Sequence, residues 1–460
     1  MREEKVISEP REVKAVCKYV FTMLDVAERR ITIPLLAVAL LSLVQSKMIA
    51  IGEFFKGVFC LVGQTQSGKT VLSKLFFVFE REKHTVTNFD STPASIIRNI
   101  SNKRDATEIV DDYKPTSTGA ARNAQMAILE RVIRMCGDDS NGYQKAGAGN
   151  STIANTAHCI VAITAEEIKL PVQSTLARLL IVDITRKSMN WDALTYFQDN
   201  HDSYKAFIIN YILHISAQGV GNYCNTLAKR FQQERHTLRK RLLEKDKDIV
   251  VDNRTSDQCT WLYISFDLFL KYALEAEAID QEQFERYKKE SLQIFLNLME
   301  EQAERINDLD DMRRFFNGLR ILLDTKEARI DRLQLRNNNY ASEDSKVAIG
   351  FSISGYIYLK NEVAFRAVVS YCKKNGRDFV MSEATLRKRL NDNGHLVPNL
   401  KTPKSSIHKR SVNHKSYQCI KFEEAVFNKL LKGGKNDDTG SKEEIRANRL
   451  ISQTAEEILG

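Results

Sequence analysis

The chain has 460 residues, 43% hydrophobic and 28% charged, with a formal net charge of +9. These values exclude a disordered or fibrous polypeptide and fit a globular protein with roughly two to four cores. Eight cysteines without a C-x-x-C pair, and eight histidines without a ligand-like cluster, argue against a zinc ribbon and for reduced thiols in a cytoplasmic protein.

The first residues, Met1-Arg2-Glu3-Glu4-Lys5, carry no secretory apolar segment. Val13 to Leu24 reads as an amphipathic helix. Ile31 to Val44 is apolar but only 14 residues long and contains Pro34, so a buried helix is expected and no membrane span. Residues 1–56 form a helical lead-in on this reading.

A strand, Val58 to Val62, then runs into Gly63-Gln64-Thr65-Gln66-Ser67-Gly68-Lys69-Thr70, a complete G-x-x-x-x-G-K-[ST] phosphate loop followed by a helical pattern. Its glycines let backbone N–H groups close around an anion. Lys69 is suited to the β/γ-phosphates of ATP and the Thr70 hydroxyl to Mg²⁺. Further strands are expected at His84 to Asn88, Ala106 to Val110, His158 to Thr164 and Leu179 to Ile184, with helices opening at Thr92-Pro93 and running from Thr118 to Cys136. Such alternation implies α/β architecture with a parallel sheet, a P-loop NTPase core over residues 57–188. A Gly/Asn/Ser-rich loop is expected from Gly137 to Thr156, where Tyr143 and Lys145 would present a ring and a cation to a strand threaded through a ring of subunits.

Residues 189–340 read as a helical domain, including Asn225 to Lys245 and Gln281 to Ile306. Residues 341–432 read as a winged-helix-like module: a hairpin over Ala348 to Leu359 turning at Ser354-Gly355, a helix from Glu362 to Lys373, a helix capped by Ser382, and strands at Ile407 to Val412 and Tyr417 to Phe422. Residues 433–460 read as a flexible tail with a short helix. The segment 361–432 holds 15 basic and 6 acidic residues, so it carries the chain's entire net charge. Arg387, Lys388, Arg389, Lys404, Lys409, Arg410 and Lys415 are the candidate phosphate contacts for DNA there.

Hydrolysis needs carboxylates beside the phosphate loop. Ile109-Val110-Asp111-Asp112 supplies them, with Asp111 assisting the metal and Asp112 as the general base. Thr164, at the end of the next strand, is the sensor candidate, and Glu166 an additional acid. Arg178, before the last strand, is a candidate arginine finger toward a neighbouring subunit or a sensor in cis.

GQTQSGKT, STPASIIRNI, IVDDYKP, ITAEE and QSTLARLLIVDI, in that order between Gly57 and Ile184, resemble the helicase-like P-loop ATPases, related to the RecA and AAA+ groups, of phage, plasmid and integrative-element primase–helicase proteins. Asp112 stands where that family more often has Glu, and Ala165 where Gly is usual. The resemblance implies an ATP- and Mg²⁺-dependent DNA helicase or translocase, working as a homo-oligomer of the kind that can close into a ring, with a separate primase. The alternative is a nucleotide-gated DNA-binding switch or loader with weak ATPase and no unwinding. A P-loop kinase fits poorly with the basic C-terminal module.

Overall fold

The computed structural model describes residues 10–79, 86–114, 119–137, 143–146, 152–168, 170, 173–245, 251–308, 311–333, 348–375, 379, 381–399, 406–412 and 415–432. The chain divides into two units, Met1–Ile306 and Asn307–Gly460.

In the first unit the strands are β1 (Val58–Val62), β2 (Thr87–Asn88), β3 (Arg104–Tyr113), β4 (Tyr143–Ala146), β5 (Thr152–Asn155), β6 (His158–Ala165) and β7 (Leu179–Asp183). Five of them form one sheet in the order β2-β3-β6-β1-β7, with every pairing parallel. β1 and β6 are buried almost throughout, as strands covered on both faces must be. Of the strand expected from His84, only Thr87 and Asn88 are extended; His84 and Thr85 lie outside the described residues. The expected loop from Gly137 to Thr156 contains an antiparallel hairpin in which β4 pairs with β5, Tyr143 opposite Asn155 and Lys145 opposite Ile153.

The helices of this unit are α1 (Pro10–Met23), α2 (Arg29–Ser42), α3 (Gln45–Ala50), α4 (Lys69–Phe77), α5 (Pro93–Asn102), α6 (Gly119–Gly137), α7 (Gln173–Leu176), α8 (Trp191–Asp199), α9 (Asp202–Ala217), α10 (Val220–Lys245), α11 (Asn253–Glu275) and α12 (Gln281–Asp308). The apolar stretch that is too short for a membrane is α2, and every residue from Ile31 to Ser42 is buried. A helix apolar on all sides belongs in a core. One hydrophobic cluster accordingly runs from α1 and α2 through β1 and α4 to α9, α11 and α12. No helix among the described residues is long and apolar enough to cross a membrane. All eight cysteines are buried.

The outer edge of β7 is covered by α12. The Ile181 N–H donates to Gln302 Oε1 at 3.4 Å, Gln302 Nε2 donates to Leu176 O at 3.2 Å, and Arg305 Nη1 donates to Ile181 O at 3.2 Å. Side chains thereby occupy edge groups that would otherwise stay open.

The second unit contains α13 (Asp311–Asp324), β8 (Arg329–Arg332), β9 (Ala348–Ile353), β10 (Tyr356–Lys360), α14 (Asn361–Lys374), α15 (Glu383–Asp392), β11 (Ile407–Val412), β12 (Lys415–Glu423) and α16 (Glu424–Leu431). Its mixed sheet runs β11-β12-β10-β9-β8. The order α14, α15, then the β11–β12 hairpin is that of a winged helix, and the hairpin is continuous with the wider sheet. Ser354 and Gly355 turn β9 into β10 with φ of 48° and 80°, the left-handed pair that a tight hairpin requires. Ile357, Leu359, Ile420 and Phe422 pack on Phe315, Phe316, Leu319, Val368 and Leu390. The tail from residue 433 onward lies outside the described residues.

Candidate functional site

The phosphate loop leaves β1 at the carboxyl edge of the parallel sheet, between β6 and β7, where open α/β sheets form their ligand crevice. Two glycines have specific steric reasons. A Cβ on Gly63 would lie 2.1 Å from Ile184 O. Gly68 sits at φ 90° and opens α4, which begins at Lys69. The helix N-terminus therefore faces the loop interior, an anion-binding geometry. Lys69 is buried, and its Nζ donates to Gly63 O at 2.6 Å and Gln64 O at 2.8 Å. Desolvation lowers its pKa from the usual lysine value, opposed by the charges of Glu166, Asp112 and Asp111.

β6 lies between β1 and β3 and brings the predicted carboxylates and Thr164 together. Thr70 Oγ1 donates to Asp111 Oδ1 at 2.8 Å. Thr164 Oγ1 donates to the same Oδ1 at 2.5 Å, and accepts from the Asp112 N–H at 3.0 Å. Thr164 is 1% exposed, so its hydroxyl is spent on the two carboxylate residues. β3 bulges between Val110 and Tyr113, and Asp112 takes φ 70°. Asp112 Oδ2 pairs with Lys114 Nζ at 2.8 Å, and this contact raises the Lys114 pKa. Glu166 accepts a hydrogen bond from the Thr65 hydroxyl, tying the end of β6 to the loop.

Arg178 is placed elsewhere. It precedes β7, and Leu179 pairs with Val58 at the amino edge of the sheet, whereas Asp183 pairs with Val62 beside the loop. A five-residue strand, about 16 Å long, separates Arg178 from the phosphate loop of its own chain. That placement leaves the in-cis sensor reading without reach. Arg178 Nη1 donates to Ser174 O at 2.5 Å.

Three neighbours of the loop were absent from the sequence reading. A Cβ on Gly68 would meet Met189 Cε at 3.2 Å and Trp191 Cη2 at 3.3 Å, so both side chains lie against the loop. They are held there by an antiparallel bridge between Ala27 and Met189, with Glu28 N donating to Ser188 O and Asn190 N to Val26 O, each at 2.9 Å. Arg305 pairs with Asp183 at the carboxyl end of β7. No motif marked these residues; Trp191, one of only two tryptophans, was the available signal.

In the second unit, α15 buries Leu386 and Leu390 and exposes Lys388 and Arg389, while Arg387 is tied to Glu383 at 3.0 Å. Lys409, Arg410 and Lys415 are exposed on the β11–β12 hairpin. Lys404 lies outside the described residues.

A phosphate loop after β1, the strand between β6 and β7 of a parallel sheet ordered β2-β3-β6-β1-β7, with acidic residues ending β3, defines a P-loop nucleotide-binding fold. Among solved structures the chain is similar to one described as "SCCmec type IV Cch - active helicase", with a TM-score of 0.53 and 14% identity, covering 90% of this chain and 71% of that one. Cdc6p from Pyrobaculum aerophilum aligns over 85% of this chain and 94% of its own at 13% identity, with a TM-score of 0.17. No family model and no curated protein matches the chain.

Proposed function

We propose that the chain is an ATP-hydrolysing DNA helicase or translocase of a mobile-element or phage replication system. The observation that carries this reading is the chain of hydrogen bonds from Thr70 through Asp111 and Thr164 to the Asp112 N–H, directly beside an intact phosphate loop. The likeness in fold to the SCCmec protein supports it.

On this reading Lys69 and the loop N–H groups hold the β- and γ-phosphates. The residues fit a divalent cation: Thr70 and Asp111, oxygen donors 2.8 Å apart at the loop, are the pair that would hold Mg²⁺. When bound, Mg²⁺ neutralises charge on the phosphate oxygens. The Asp112 carboxylate takes a proton from the attacking water. Thr164 acts as a positioning residue, fixing Asp111 by its hydroxyl and Asp112 through its backbone. Glu166 orients the loop through Thr65. Met189 and Trp191 offer the nucleotide an apolar surface. Arg178, too far from its own loop, serves the phosphate of a neighbouring copy, which makes a homo-oligomer part of the proposal. Lys388 and Arg389 on α15, with the hairpin cations, contact DNA phosphates.

The second reading is a nucleotide-gated DNA-binding switch with weak turnover. The Asp112–Lys114 pair favours it, because a carboxylate engaged at 2.8 Å is a poorer base.

ATP turnover with and without single- and double-stranded DNA tests the proposal, comparing wild type with Lys69→Ala and Asp112→Asn. DNA-stimulated turnover that both substitutions abolish is expected. Turnover indifferent to DNA, with phosphate passed to a small molecule, sinks both readings. A strand-separation assay then divides motor from switch. Mixing Arg178→Ala with Lys69→Ala subunits restores partial activity if the site is shared between copies.

A further inference from the structure

The sheet of the second unit has a second face whose composition differs from the helix-covered one. Register puts Tyr356, Tyr358 and Lys360 of β10 on the same side as their partners Glu423, Lys421 and Cys419 of β12. Tyr417 and Lys415 continue that side of β12, opposite Arg410 and Val412 of β11, with His408 opposite Cys419. Phe351 of β9 pairs with Tyr358 and joins the same face. Four aromatic rings and the cations Lys360, Arg410, Lys415 and Lys421 thus share one face, with Asp331 and Glu423 as its acids.

The cations sit over the rings. Lys421 Nζ is 3.7 Å from the Tyr356 centroid, Arg410 Cζ is 4.5 Å from that of Tyr358, and Lys360 Nζ is 4.4 Å from Tyr417 and 4.6 Å from Phe351. Phe351 and Tyr358 are buried and Lys360 is anchored to Ala348 O at 2.8 Å, so these form the floor. Tyr356, Tyr417 and Lys421 are half-buried, and Arg410 and Lys415 are exposed. A ring that takes a cation on one face can take a nucleobase on the other, and cations beside it can meet the phosphates between bases. Duplex DNA hides its base faces in the stack, whereas single strands expose them.

We propose that this aromatic–cationic sheet face binds single-stranded DNA, with bases stacking on Tyr356 and Tyr417 and with Arg410, Lys415 and Lys421 contacting phosphates. The net charge of +9 concentrated in residues 361–432 supplies the electrostatic complement to a polyanion. The inference rests on the reading of the chain as DNA-acting and names the form of DNA and the surface that takes it. It separates this face from α15, whose Lys388 and Arg389 point to a different contact.

The test is fluorescence anisotropy of the full-length chain with a labelled thymidine oligomer, a duplex of equal length and a uridine oligomer. Tyr356→Ala and Tyr417→Ala should each weaken thymidine-oligomer binding about 5- to 150-fold and duplex binding less than about twofold. Tyr356→Phe and Tyr417→Phe keep the ring and should bind as wild type, which separates lost stacking from lost folding. Removing Arg410 and Lys415 together should reduce the salt slope by about 1.4. Wild-type affinity for the thymidine oligomer in both alanine variants overturns the sheet-face inference and leaves the wider functional reading standing. A wild-type chain that binds no DNA overturns both. Tighter binding of the uridine oligomer than of the thymidine oligomer overturns the assignment to DNA.

Discussion

Thr164→Val is the substitution that probes the candidate hydrolytic site most directly, because it removes one oxygen and preserves the shape of a side chain only 1% exposed. Two hydrogen bonds disappear: one given to the Asp111 carboxylate at 2.5 Å and one received from the Asp112 N–H at 3.0 Å. A bond to a charged acceptor contributes about 1.5–3 kcal/mol and a neutral backbone bond about 0.5–1.5, so the variant should lose about 2–4.5 kcal/mol. With a urea slope near 3 kcal/mol/M, the unfolding midpoint falls by roughly 0.7–1.5 M. The loop contacts of Lys69 do not involve Thr164, so affinity for a non-hydrolysable ATP analogue should change less than about threefold. Turnover at saturating ATP should fall about a hundredfold, the usual consequence of a catalytic group displaced by about 1 Å. Thr164→Ser keeps the hydroxyl and should recover most of the rate. A Val variant with wild-type midpoint and wild-type turnover would refute the positioning role.

Gly63→Ala forces a Cβ to within 2.1 Å of Ile184 O, and backbone cannot yield there cheaply. Nucleotide affinity measured by titration calorimetry should drop at least about tenfold, and unchanged affinity would show that the loop tolerates the shift. His201 is half-buried with Nε2 at 2.9 Å from Leu75 O, and burial lowers its pKa below the usual value. The unfolded chain therefore takes up the proton first, near pH 6.5, so the stability this group contributes is complete above that pH and is lost as pH falls toward the folded-state value. Thermal melts from about pH 7.5 to 5.5 should show a falling Tm for wild type and a shallower fall for His201→Gln; parallel slopes would exclude the effect. His214 is shifted in the same direction and keeps some slope in the variant.

The features legible in the sequence were those specified by neighbouring residues. The phosphate loop, the Thr92 and Ser382 helix caps and the Ser354-Gly355 turn each depend on chemistry within a few residues, and the structure forms all of them. Parallel pairing followed from strand–helix alternation, but the strand order β2-β3-β6-β1-β7 did not, since it is set by long-range packing. That order decides the chemistry: it inserts Thr164 between loop and carboxylates and sends Arg178 to the opposite edge. Trp191 and Met189 reach the loop only through the bridge to Ala27, a contact 162 residues away in sequence. The alternation of Tyr356, Tyr358 and Lys360 was visible, yet its aromatic–cationic face required the register with β12 and β11.

The backbone at Asp112 bears on which residue type the position admits. Left-handed φ of 70° is several-fold enriched in Asp and Asn among residues with a side chain, and unfavourable for longer acids. Glu, the commoner residue in the resembling family, would extend its carboxylate one methylene further while paying in conformational strain. The bulge in β3 and the shorter acid therefore form a matched pair, each making sense of the other. On the proposed hydrolytic reading, exchange of Asp112 for Glu alone would be a poor route to faster turnover, whereas a change that straightened the bulge first would open it.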